Sequence, residues 1–179
     1  AFRGQIICRA DNKAIENIGD CRNKRWMAVD PLSAGGYLFA LNLFRKHGIS
    51  KADFRSITFA PGPGGKQEKV VQAVYLGEAD IGSIRNGTLD LVKDQVNLDA
   101  IRVLASTRQY PSWVYAARKG LDPKLVEKIR QALLKLDPED PEHREILEQA
   151  HFRGIVAAKD SDFDPIRKLV RNLEVRFND

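Results

Sequence analysis

The chain has 179 residues, 43% of them hydrophobic and 30% charged, with a formal net charge of +5. That is enough chain to bury a core as one domain or as two small lobes. Lys and Arg are scattered among acidic residues over most of the length, which argues against a nucleic-acid stripe, and no apolar run approaches the roughly 20 residues that span a bilayer.

The start, Ala1-Phe-Arg-Gly4, reads as a processed one. Gln5-Ile-Ile-Cys8 predicts a strand, and Asp11-Asn12 then caps a short helix to Ile18. Arg25 to Val29 predicts a second strand. Asp30-Pro31 ends it, and Ser33, Ala34, Gly35 and Gly36 form a small, flexible loop. Tyr37, Ala40, Leu41 and Phe44 follow with the i, i+3, i+4, i+7 spacing of a buried helix face, ending at Gly48 as a C-cap. Phe54 to Ala60 alternates like a strand, and Pro61-Gly-Pro-Gly-Gly65 is the most strongly punctuated loop.

Lys66 to Tyr75 reads as a helix with Val70, Val71 and Val74 inward, stopped by Gly77. Ala79 to Ile84 predicts a strand that leads into Arg85-Asn-Gly-Thr88, with Thr88 opening another helix. Ile101 to Ala105 and Trp113 to Ala117 predict two further strands. Three helices then start at Asp122-Pro123, Asp140-Pro141 and Asp164-Pro165, Asp suiting the N-cap and Pro the first helical position. In the first of these Leu125, Ile129 and Leu133 are expected inward. Strand alternates with helix up to about residue 110, which predicts an α/β fold: three layers, a mostly parallel sheet with helices on both faces, plus a helical C-terminal return segment.

In an open α/β sheet, ligands bind beyond the carboxyl ends of the strands. The loops Asp30–Gly36, Pro61–Lys66 and Arg85–Thr88 each follow a strand, so all three are expected on one rim. They bring the Ser33 hydroxyl, backbone N–H groups at two helix starts, and the cations Lys66 and Arg85, which is an anion receptor's inventory. The plainer reading is that the glycines let strand and helix pack closely and the cations are solvated. A phosphate loop of the Walker type is excluded, because Ala60 stands where its first Gly belongs and Gln67 follows Lys66. Ser33 lacks a nucleophile-elbow frame, so no catalytic residue is assigned and an enzyme is not expected. No cofactor motif is present. Cys8 and Cys21 can pair or remain as buried thiols, and neither they nor the three histidines form a metal-binding pattern.

Arg9-Ala-Asp-Asn12, Asp30-Pro-Leu-Ser-Ala-Gly-Gly-Tyr37, Gly77-Glu-Ala-Asp80, Ile101-Arg-Val-Leu104, Pro111-Ser-Trp113 and Asp162-Phe-Asp-Pro165 stand in the order and spacing of a known family. The sequence resembles the phosphate/phosphite/phosphonate-binding proteins of ABC importers, which have the type II periplasmic-binding fold, and is most similar to versions used as sensors in membrane histidine kinases. The resemblance implies a periplasmic or extracytoplasmic domain that binds a small anionic ligand and signals by lobe closure to a kinase or a permease. It implies ligand contacts from Ser33, Ala34, Gly35, Gly36, Tyr37, Gly65, Lys66 and Arg85. The family's usual run of hydroxyls keeps only Ser33 here, and cations stand at Lys66 and Arg85. That combination disfavours an aminophosphonate and favours another phosphorus or sulfur oxyanion or a carboxylate.

The resemblance also places residues 1–110 in a ligand-binding lobe and 111–179 in the returning part of a second lobe whose first half is missing. A homo-oligomer or a companion chain completing that lobe is therefore expected. The effector domain of a LysR-type transcription regulator and an enzyme such as a thiamine-precursor synthase share the fold and stand as the rival readings.

Overall fold

The computed structural model describes residues 1–150 and 152–175. Five strands, β1 (Gly4–Arg9), β2 (Arg25–Ala28), β3 (Ser56–Phe59), β4 (Ile81–Arg85) and β5 (Ile101–Ser106), form one sheet in the order β3-β2-β4-β1-β5. β2 is parallel to both β3 and β4, while β1 is antiparallel to β4 and β5. Four strands thus point one way and β1 alone runs against them, so two of the four pairings are parallel and two antiparallel: an α/β fold, as expected, on a mixed sheet.

Alternation along β1 explains the three layers. Ile6 and Cys8 face a core shared with helix α1 (Phe39–Lys46), while Ile7 faces the opposite core with helices α2 (Lys66–Tyr75) and α3 (Thr88–Val92). The α1 layer is aromatic. Trp26 meets Tyr37, Phe44 and Phe54 at centroid distances of 4.9 to 5.2 Å. The α2 layer is built from Val70, Val71 and Val74, and it fits closely because β4 carries Gly82. A Cβ there would lie 2.7 Å from Val70 Cγ1.

The segment expected as a helix up to Ile18 is instead a series of turns ending in a short 3-10 helix, Ile18–Cys21, capped by Asn17 rather than Asn12. The Asn17 side chain accepts from the Gly19 amide at 2.8 Å and Asp20 accepts from the Asn17 amide, so these short polar groups satisfy the backbone without a full helix. Cys8 and Cys21 are free thiols, both buried. Burial pushes Cys21 up to about 12 and also raises Cys8.

The chain divides into two compact units, Ala1–Ser112 together with the stretch from Phe163, and Trp113–Asp162. The sequence boundary at residue 110 left helix α6 (Asp164–Leu173) in the second segment. Its apolar face, Leu169 and Leu173, lies in the core with α1, and Arg45 reaches the Asn172 carbonyl. The second unit contains helices α4 (Pro123–Leu134) and α5 (Pro141–Gln149), each capped by the Asp before its Pro. Trp113 to Ala117 is not a strand. It has no ladder partner among the described residues, and Trp113 and Tyr115 are 79% and 67% exposed. The inward face expected for α4 is also absent, with Leu125 44% and Ile129 47% exposed, while Leu147 of α5 is buried. No helix among the described residues is long and apolar enough to cross a membrane.

Asp80 ties the base of the sheet together. Its Oδ1 accepts from Arg25 Nη2 at 2.7 Å and its Oδ2 from the Arg25 amide at 2.8 Å. The Arg25 guanidinium holds the Asp80 carboxyl below its ordinary value of 3.8. A depressed carboxyl stabilises the fold above its unfolded value and loses that contribution as pH falls through the folded one. Unfolding free energy should therefore drop as pH falls below about 4, and Asp80→Asn should flatten that part of the profile while costing about 1 kcal/mol at neutral pH. Urea titrations across pH measure both. Thiol reagents should label neither cysteine in the native protein and both after denaturation, as read by absorbance.

Candidate functional site

Because β2, β3 and β4 are mutually parallel, the loops after them lie on the same rim of the sheet. The first loop opens with Asp30, whose Oδ1 accepts from the Leu32 amide at 2.9 Å while its backbone carbonyl accepts from the Ser33 amide. Ala34–Leu38 then forms a turn of π-helix that runs directly into α1. Ser33 is its N-cap, with Oγ accepting from the Gly36 amide at 3.2 Å. The amides of Ala34 and Gly35 open the helix and, as first-turn donors, have no acceptor within it. They stand at the positive end of the helix dipole.

Gly36 is a packing position. A Cβ there would lie 2.2 Å from Val29 Cγ2. Its carbonyl accepts from the Val29 amide at 3.2 Å and from Ser83 Oγ at 2.6 Å, and Ser83 Oγ in turn accepts from Trp26 Nε1 at 3.0 Å. Tyr37 is also a core residue, packed between Trp26 and Phe59 at 5.2 and 5.1 Å. Of the loop positions singled out in the sequence, Ser33 and Ala34 are partly exposed, Gly35 is buried, and Gly36 and Tyr37 hold the loop to the sheet.

Gly35 meets the end of β4. A Cβ on Gly35 would fall 2.9 Å from Arg85 Cβ and 3.0 Å from Phe2 Cε2. The Arg85 guanidinium has no hydrogen-bond or ion-pair partner among the described residues, while its amide donates to Gln67 Oε1 at 3.0 Å. The neighbouring Asn86 is tied to the start of β1 by paired bonds with the Arg3 backbone at 2.8 and 3.0 Å. Thr88 Oγ1 donates to the Arg85 carbonyl at 2.8 Å and is wholly buried.

In the second loop Gly65 caps α2 with φ +60°, a left-handed conformation that favours glycine. Lys66 begins that helix and lies 3.6 Å from Asp30 Oδ2, both side chains being partly exposed. Lys69 Nζ donates to the Pro61 carbonyl at 2.9 Å, holding the loop against its helix.

The structure thus brings Ser33, Ala34, Gly35, Lys66 and Arg85 to one rim. Sequence reasoning missed Ser83, Gln67 and Asp30. A signal existed for Ser83, since a buried Trp needs an acceptor for its indole N–H and a hydroxyl inside an apolar strand can supply one. Chemically the rim offers first-turn amides without an acceptor in their own helix, a guanidinium without a partner among the described residues and an ammonium facing Asp30, a set that suits a small oxyanion.

A family model described as "ABC transporter, phosphonate, periplasmic substrate-binding protein" matches residues 1–163. Among solved structures, the chain is similar to PhnD1 from Prochlorococcus marinus in complex with methylphosphonate, with 16% identity and a TM-score of 0.80 over 97% of this chain and 67% of that one. A protein from Xanthomonas citri bound to ATP gives 20% identity and 0.78, over 97% and 66%. A binding-protein component of an ABC phosphonate transporter from Pseudomonas aeruginosa gives 19% and 0.72, over 94% and 56%. The chain therefore spans 56 to 67% of the length of these structures. At such identities the likeness shows the fold.

Gly36→Ala should lower stability by about 1–3 kcal/mol through overpacking against Val29. Urea unfolding of the variant beside Gly64→Ala, where a Cβ meets nothing within 4 Å, separates this effect from glycine's general flexibility.

Proposed function

The chain belongs to the family of periplasmic substrate-binding proteins of phosphonate ABC transporters, and from that premise we propose that its first unit carries the anion-binding rim of a solute receptor without catalytic activity. The ligand is a small tetrahedral oxyanion, of the phosphonate, phosphate or sulfonate kind. Its oxygens accept from the amides of Ala34 and Gly35 and from the Ser33 hydroxyl, whose oxygen is already engaged by the Gly36 amide while its proton is free to be donated. Arg85 supplies a forked donor and Lys66 a mobile charge.

The observation that carries this reading is the Arg85 guanidinium, without a partner among the described residues, on a side chain whose Cβ stands against Gly35 in the first turn of the helix after β2. The scarcity of hydroxyls in the loop shifts recognition toward charge and backbone donors. The partner implied by the family is the membrane permease of such a transporter. The histidine-kinase reader and the homo-oligomer expected from the sequence find no support in the family match.

Titration calorimetry with methylphosphonate, phosphate, sulfate, methanesulfonate and acetate tests the reading. At least one oxyanion should bind, and Arg85→Ala should weaken it by about tenfold or more, as expected for losing a charge-assisted bond. Absence of binding across the panel, or an Arg85→Ala variant that binds as tightly as the parent, overturns the assignment.

A further inference from the structure

The anion rim contains a carboxylate that an anion receptor would be expected to avoid. Asp30 is anchored by two features of its own loop: Oδ1 accepts from the Leu32 amide at 2.9 Å, and its carbonyl accepts from the Ser33 amide at 3.1 Å. Its other carboxylate oxygen lies 3.6 Å from Lys66 Nζ. The carboxylate is therefore pinned to the loop that presents the Ala34 and Gly35 amides, whereas the Lys66 ammonium sits on a flexible stem. When an anion binds, Lys66 can turn to it, but the Asp30 charge stays where the turn holds it.

We propose that Asp30 is a fixed counterion that sets the charge selectivity of the site, discriminating against the second negative charge of a doubly charged oxyanion. This rests on the anion-site reading above and deepens it. The rim's named charges are Lys66 and Arg85 against Asp30, so one of the two positive charges is already balanced before any ligand arrives. A singly charged head group, such as a sulfonate or a singly ionised phosphonate, fits that balance. A doubly charged head group meets twice the attraction from the two cations and twice the repulsion from Asp30, so what Asp30 subtracts from binding doubles with the ligand charge. Asp30 thus lowers affinity for dianions more than for monoanions. It also keeps Lys66 partly neutralised in the empty site, which limits non-selective capture of bulk anions.

Methanesulfonate and methylphosphonate make a matched pair of probes. Both are tetrahedral and nearly equal in size, and at mildly alkaline pH they carry one and two negative charges. Calorimetry on the parent and on Asp30→Asn, whose amide oxygen can still accept from the Leu32 amide, gives four dissociation constants. Asp30→Asn should tighten methanesulfonate about twofold and methylphosphonate about fourfold, so that the ratio between the two ligands shifts toward the dianion. Asp30→Ser, which also keeps an oxygen for Leu32, should shift the ratio the same way and serves if the Asn variant unfolds.

A parent that binds an anion while both variants leave the ratio unchanged overturns the counterion role and leaves the anion-site reading standing. A parent that binds methanesulfonate but not measurably methylphosphonate, beside an Asp30→Asn variant that binds both, supports the role. No binding by any of the three proteins overturns both readings together.

Discussion

The rim depends on one buried chain of hydrogen bonds, from the Trp26 indole to Ser83 to the Gly36 carbonyl. Ser83 is wholly buried, so each of these groups would be costly to leave unpaired, and the chain closes with every member satisfied. It connects three elements at a single point: the Trp of β2, the Ser of β4 and the helix start that follows β2. The Gly36 carbonyl takes a second bond from the Val29 amide. A helix start held in this way cannot slide along the sheet without orphaning a buried polar atom. The absence of a side chain at Gly36 is the steric half of the same constraint, because Val29 occupies the space a Cβ would need.

From this anchor the position of the cations follows. The buried Gly35 comes just before Gly36, and its lack of a Cβ lets Arg85 at the β4 terminus approach the helix start. Gln67 joins the start of α2 to the Arg85 amide, so the second helix start is registered against the same strand end. Lys66 precedes Gln67 and is carried to Asp30 by that registration. Parallel strands alone bring three loops to one rim, but the contacts at Ser83, Gly35 and Gln67 bring them to one place.

Much of this architecture is legible in the sequence, and the exceptions have physical causes. The α2 bounds, Lys66–Tyr75, match the expected ones because a flexible glycine loop and a left-handed Gly77 mark both ends. The aromatic and aliphatic spacing from Tyr37 to Phe44 reports a buried face correctly. That same burial removes Tyr37 from the rim, a distinction that spacing cannot make, because a core aromatic and a ligand-facing one obey the same period. Trp113 to Ala117 has strand-forming residues but no strand to pair with among the described residues, and strand formation is a property of two segments. The place of α6 is set by Leu169 and Leu173 finding the α1 core, a long-range match that no local pattern announces. Asp30 is prominent in the sequence as the end of a strand, and its role beside Lys66 emerges only when residues 36 positions apart meet.

The π-turn at Ala34–Leu38 places one additional residue in a turn that otherwise continues as α1. Each helical residue advances the chain by about 100°, so deleting one residue here would restore an ordinary helix and rotate everything before it relative to everything after. The turn therefore works as a phase adjuster between two sequence frames. Downstream, the frame is fixed by the aromatic core; upstream, it is set by what the rim must hold. Lineages that gain or lose a residue at this junction would change the aim of the amides while leaving the α1 core in register, so insertions and deletions here are a route to new ligand preference separate from point substitution.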